Sequence, residues 1–103
     1  MKVKKFVQAM DSLSDNITKV PVILTDKKSY SISSINYSQN SIVKLVAGSI
    51  AMDIDEFNKI TTKLCVIRPN ATIVVDIEDI YHIQNVAFGI DNINIITGGK
   101  VKK

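Results

Sequence analysis

The sequence predicts an α+β fold: a tandem duplication of one α-β-β-β unit, packed as a single domain over residues 1–103, with antiparallel sheet carrying the helices on one face. Laid over residues 1–48 without a gap, at a shift of 51, residues 52–99 are identical at seven positions: Met1/Met52, Phe6/Phe57, Leu13/Leu64, Tyr30/Tyr81, Ile32/Ile83, Ile42/Ile93 and Gly48/Gly99. Both copies pass from apolar residues at helical spacing into short alternating runs, so each reads as one helix followed by strands. A chain of 103 residues can bury one shared core, whereas two separate units of about 50 residues would each be marginal. The repeats, 1–51 and 52–103, are therefore expected to pack on each other.

In the first copy Val3, Phe6, Val7, Met10 and Leu13 line one face of a helix, and the polar run from Asp11 to Asn16 favours its end. The matching stripe is Ile54, Phe57, Ile60, Thr61 and Leu64, with Asp53 placed to cap the start and Glu56 three residues on. Residues 64–67 read equally as a helix extension or a short strand before Arg68 and Pro69. The first strand is 20–24, where Pro21 favours a start or an edge, and its copy is 72–75. The second strand alternates at Tyr30 and Ile32, slips by one residue, and resumes at Ile35 and Tyr37. Tyr81, Ile83, Val86 and Phe88 repeat the slip, which predicts a bulge at Ser33-Ser34 and at Gln84-Asn85. The third strand is 42–46, repeated at 93–97. Val3, Phe6, Met10, Leu13, Tyr30, Ile32, Phe57, Leu64, Tyr81, Ile83 and Phe88 are the predicted core.

No apolar run approaches the roughly 18 residues of a membrane span, and Lys2, Lys4 and Lys5 are not followed by a signal-peptide apolar region, so a cytoplasmic protein is expected. Cys65, alone in an apolar run, reads as a buried reduced thiol. The net charge of +3 is unevenly divided, with +4 in residues 1–51 and −1 in 52–103.

No catalytic constellation is readable, and no cofactor or metal is expected. His82 has no second ligand at zinc spacing and no nucleophile to serve, and it reads as a solvated histidine. Asp76, Glu78 and Asp79 are dense enough to consider for magnesium, but the first copy has Thr25, Lys27 and Lys28 there, and a solvated turn explains them. The glycines do not fit a phosphate-loop spacing. Charge is absent from 29–43, and from 80–90 apart from His82. An uncharged sheet face of Ser31, Asn36, Ser38, His82 and Ala87 would be cheap to desolvate, and suits strand addition or face-to-face association. A protein partner and a homodimer are expected through that face. The alternative is nucleic-acid or nucleotide binding through Lys2, Lys4, Lys5, Lys100, Lys102 and Lys103, should the chain ends meet.

The run Val3, Lys4, Lys5, Phe6, Val7, Gln8, Ala9 and Met10, then Val20, Pro21 and Val22, then strands at 32–37 and 42–46, resembles short, mostly uncharacterised accessory proteins of phages and prophages. These open with an amphipathic helix, a Pro-Val strand and a hairpin. The second copy departs from the pattern, with Thr72 in place of the proline. The resemblance implies an accessory product acting in the host cytoplasm, a group in which inhibitors of host protein complexes and small-ligand binders occur.

Overall fold

The computed structural model describes residues 1–12, 20–89 and 92–101. The elements are α1 (Val3–Asp11), β1 (Val20–Leu24), β2 (Ser29–Asn36), β3 (Ile42–Gly48), α2 (Ile54–Ile67), β4 (Thr72–Ile77), β5 (Asp79–Phe88) and β6 (Asn92–Lys100). The six strands close into a barrel in the order β1-β2-β3-β4-β5-β6.

Closure corrects the expected α+β sheet with helices on one face. Within each copy the three strands form an antiparallel meander. Between copies they meet in parallel, β3 against β4 and β1 against β6. The reason is connectivity: α2 carries the chain back past the barrel, so β4 starts at the end where β3 started, as a crossover into a parallel pair requires. A lone meander would leave two rows of backbone N–H and C=O groups unpaired. Here the outer strands of each copy, β1 and β3 or β4 and β6, pair with those of the other copy.

The two copies are related by a quasi-twofold that the ungapped shift of 51 only approximates. Val43 is level with Ile73 and Leu45 with Val75 across one parallel seam; Pro21 is level with Ile93 and Ile23 with Ile95 across the other. Matching inward residues to inward residues, buried Ile73 answers buried Pro21 at a shift of 52, and buried Ile93 answers buried Val43 at a shift of 50. Both hairpin turns of the second copy are one residue tighter. Its first turn has Ile77 level with Asp79 around Glu78, whose φ of 74° is the one left-handed backbone among the described residues other than glycine.

Register shifts fall between Ile32 and Ser34 on β2 and between Ile83 and Asn85 on β5, with a further one on β5 between Tyr81 and Ile83. The bulge at Ser33 also accounts for a glycine. A Cβ on Gly48 would lie 2.0 Å from Ser33 Oγ and 2.7 Å from Ser33 Cβ, whereas one on Gly98 would meet Gln84 Cβ at an ordinary 3.4 Å.

The barrel interior holds Ile23, Ile32, Val43, Leu45, Ile73, Val75, Ile83, Val86, Ile93 and Ile95, all buried. Val3, Phe6 and Val7 of α1 with Phe57 and Leu64 of α2 belong to the same cluster. A closed barrel exposes its interior only at its ends, so helices that share its core must cover an end. Backbone bonds identify it: Val3 N–H donates to Ala71 O (2.8 Å), Lys4 N–H to Pro69 O (3.0 Å) and Ile73 N–H to Met1 O (2.9 Å), all beside the start of β4. Of the other predicted core residues, Met10, Tyr30 and Tyr81 are half-buried, while Leu13 and the side chain of Phe88 lie outside the described residues. Cys65 is half-buried rather than buried.

Residues 64–67 extend α2, and Arg68 anchors the chain where it leaves the helix. Its guanidinium donates from Nη1 to Tyr37 O and to Gln39 O (3.1 Å), and lies 5.9 Å from the Tyr37 ring centroid, tying the end of α2 to the β2–β3 turn. No helix among the described residues is long and apolar enough to cross a membrane.

Candidate functional site

The uncharged face expected from the sequence does not form one surface. Ser31 and Asn36 lie on β2, with Ser38 just beyond it, whereas His82 and Ala87 lie on β5. In a closed ring of six strands β2 and β5 are three places apart in either direction, on opposite sides of the barrel. Closure pairs the outer strands of one copy with those of the other, while among the described residues the β1–β2 ladder ends at Ser31 and the β4–β5 ladder at His82, so the strand addition and the homodimer expected from the sequence remain proposals.

The lysines fare differently. Lys2 makes a backbone bridge opposite Thr72 of β4, and Lys100 ends β6 level with Tyr81 of β5, so β5 lies between the two strands concerned, β4 and β6. Lys4 and Lys5 are exposed on α1, and Lys102 and Lys103 lie outside the described residues. The acidic cluster is spread around a hairpin, with Asp76 on β4, Glu78 at the turn and Asp79 opening β5. Among the described residues no three His, Cys, Asp or Glu side chains are grouped to hold a metal.

What the fold does build is a groove of about 1260 Å³ on the outside of β3, β4 and β5. Its floor is apolar: Ile42, Val74, Ile80 and Val101. Val74 is the informative residue. Its neighbours Ile73 and Val75 point into the barrel, so Val74 points out, yet it is only 3% exposed. It lies level with Lys44 on β3 and with His82 on β5, and these flanks cover it. Val101 is brought to the floor by its N–H, which donates to Ile80 O (2.8 Å).

The ionic rim is ordered along β4. Lys44 stands near the start, with the Lys2 bridge to Thr72 beside it, and Glu78 and Asp79 stand at the far end. Asp79 is paired with Lys100 (Oδ2 to Nζ, 3.2 Å), both well exposed. Lys44 and Glu78 have no ion-pair partner among the described residues.

A second pocket, about 610 Å³, opens at the end where β1, β4 and β6 finish. The repeated Tyr30 and Tyr81 line it together with Thr97 and Lys27, and it shares Glu78, Asp79, Gly99 and Lys100 with the groove. One face of Tyr30 is already taken by Lys28, whose Nζ lies 4.7 Å from the ring centroid.

Ile42 and Val74 read in the sequence only as apolar strand residues and Ile80 as part of a turn, so the sequence predicts no outer apolar floor beside Lys44. A usable signal was present in 73–75, three consecutive apolar residues, which is what a strand covered on both faces requires. Compared with protein families, curated proteins and solved structures, the chain matches none of them.

Proposed function

We propose that the protein is a non-catalytic binding module that holds a segment of a partner protein in the groove over β3, β4 and β5. The observation that carries this reading is the outward apolar floor of Ile42, Val74, Ile80 and Val101 on a barrel whose interior is already filled. An apolar floor rimmed by polar groups is the usual character of a protein-binding patch. The resemblance to phage and prophage accessory proteins makes the partner a host protein complex met in the cytoplasm, and the module its inhibitor.

The second reading is phosphate or nucleic-acid binding, favoured by Lys44 and Lys100 lining one groove, with the backbone of Lys2 bridged to Thr72 of that lining. Salt separates the two, since phosphate contacts weaken steeply with ionic strength while apolar contacts respond little.

The test compares the wild type with Ile42→Glu and Ile80→Glu, half-buried floor positions whose substitution leaves the barrel interior intact. Host proteins captured by the immobilised wild type at moderate salt should be lost from both variants, while thermal melting shows the barrel retained. Capture that survives both substitutions, or that vanishes with salt alone, overturns the reading.

A further inference from the structure

We propose that the groove selects a charge-polarised extended segment, with a carboxylate over Lys44, an apolar side chain over the Val74–Ile80 floor, and a basic side chain over Glu78. This rests on the groove being a partner site and adds the chemistry of what it takes.

Four charged residues line the groove, Lys44, Glu78, Asp79 and Lys100, and two of them have no ion-pair partner among the described residues. Lys100 and Asp79 satisfy each other at 3.2 Å, so they contribute little net field at the far end of the groove. Lys44 and Glu78 have no such partner among the described residues, and both line the groove. His82 is level with Val74 beside Lys44, and Asp76, on the outer phase of β4 but outside the groove lining, stands on the Glu78 side. The unpaired charges of the lining are therefore Lys44, level with Val74, and Glu78 at the hairpin end, with the apolar side chains of Val74 and Ile80 between them.

The spacing of these charges fixes the occupant. Lys44 is level with Val74, and Glu78 lies four residues further along the same strand and turn. At about 3.3 Å per extended residue that is roughly 13 Å. In an extended peptide residues i, i+2 and i+4 share one face and span the same distance. The fitting pattern is acid-x-apolar-x-base. The reversed order, base-x-apolar-x-acid, fits when the segment runs the other way. A helix would need about nine residues to cover that distance, and its i, i+4 pair would be only about 6 Å apart.

Each exposed pair contributes up to about 1 kcal/mol, so a matched charge should improve affinity by about fivefold or less, a preference rather than a switch. The test uses four synthetic dodecapeptides with one Leu-bearing scaffold and the residue pairs Glu/Lys, Glu/Glu, Lys/Lys or Ser/Ser at i and i+4. They are titrated into the isotopically labelled protein at low salt, reading the amide signals of Ile42, Val74 and Ile80.

The wild type should bind the Glu/Lys peptide about three- to fivefold tighter than either like-charged peptide. Lys44→Glu should move the preference to Lys/Lys, and Glu78→Lys should move it to Glu/Glu. Lys44→Gln and Glu78→Gln serve where a reversal disturbs folding, and each should erase one half of the discrimination. Equal binding of all four peptides at the groove overturns the charge selection and leaves the partner site standing. Absence of any response at Ile42, Val74 and Ile80 up to millimolar peptide overturns both. A response to a single-stranded oligonucleotide, with none to the peptides, assigns the groove to phosphates and overturns both as well.

Discussion

Inside the barrel, Ile23, Ile32 and Leu45 of the first copy are answered by Val75, Ile83 and Ile95 of the second, and all six are buried. Outside it the copies part: the β1–β6 seam sets Val22 level with Asn94 and Leu24 with Ile96, while the equivalent β3–β4 seam sets Lys44 level with Val74 and Val46 with Asp76. The interior of each copy is packed against the other, so a change of volume on one side is felt on both, and divergence there is expensive. The outer face carries no such constraint. The groove belongs to the diverged part. It is made where Lys44 stands in place of the equivalent Asn94, and where a turn one residue shorter brings Glu78 to the rim.

The strongest way to break this comparison is through the two repeated phenylalanines. Phe6 is 0% and Phe57 1% exposed, at the same place in the repeat. Phe6→Ala and Phe57→Ala should each cost about 3–5 kcal/mol, against a total stability on the order of 5–15 kcal/mol for a chain of this kind. Urea unfolding measures both. Equal losses mean that the two helices close the barrel equally. A Phe6→Ala loss well below that of Phe57→Ala, with a smaller denaturant slope, would mean that α1 detaches alone and the quasi-twofold is not energetic.

Much of the local structure was legible. The repeat, the order of helix and strands in each copy, and the bulges were all read from positions such as Phe6/Phe57 and the shared phase slip after Ile32 and Ile83. Closure was not. The parallel seams join Val43 to Ile73 and Pro21 to Ile93, and no local signal marks such pairs, because alternation is the same in an open sheet and a barrel. The single shift of 51 also hid the offsets of one residue, in opposite senses, at the first and third strands. For the site, polar composition on β2 and β5 suggested one face, and only the ring order separates Ser31 from His82. Lys44 and Glu78 line one groove from different copies, so no window along the chain contains their relation.

A smaller effect sharpens the comparison at the bulges. Gly48 and Gly98 each stand opposite the bulged residue of the preceding strand, Ser33 and Gln84, but at very different clearance. Ser33 Oγ donates to Ile50 O at 2.6 Å and holds the chain leaving β3. A methyl group at Gly48 cannot enter without moving Ser33 and breaking that bond, so Gly48→Ala should cost about 2–4 kcal/mol, combining overpacking with a lost hydrogen bond. A Cβ at Gly98 would make ordinary contact, and Gly98 has no positive φ. Gly98→Ala should therefore stabilise by about 0.4–1 kcal/mol through the unfolded chain. The two values are compared by chemical denaturation, and adding Ser33→Gly to Gly48→Ala should recover part of the loss. Equal losses at both glycines would show that the bulges impose the same constraint after all.

The helix starts provide the smallest test. Lys2 and Asp53 hold equivalent N-cap positions with similar extended backbones, φ −82° and ψ 151° against φ −60° and ψ 135°. Asp53 Oδ1 accepts from Asp55 N–H at 2.8 Å, whereas Lys2 makes no side-chain cap. α2 also has Asp55 and Glu56 in its first turn, while α1 has no acid there and carries Lys4 and Lys5 against the positive end of its dipole. Asp53→Ala should thus cost about 1 kcal/mol, which for a domain of this size lowers the melting temperature by about 4–8 °C. Lys2→Asp should supply the missing cap and raise it by a few degrees. The bridge from Lys2 to Thr72 is formed by the backbone and survives the change. Calorimetry on the two variants decides the point: if Lys2→Asp gives no gain while Asp53→Ala gives the expected loss, α1 is held by its backbone bonds to Ala71 and Pro69 and by the burial of Phe6, and its start has no use for a cap.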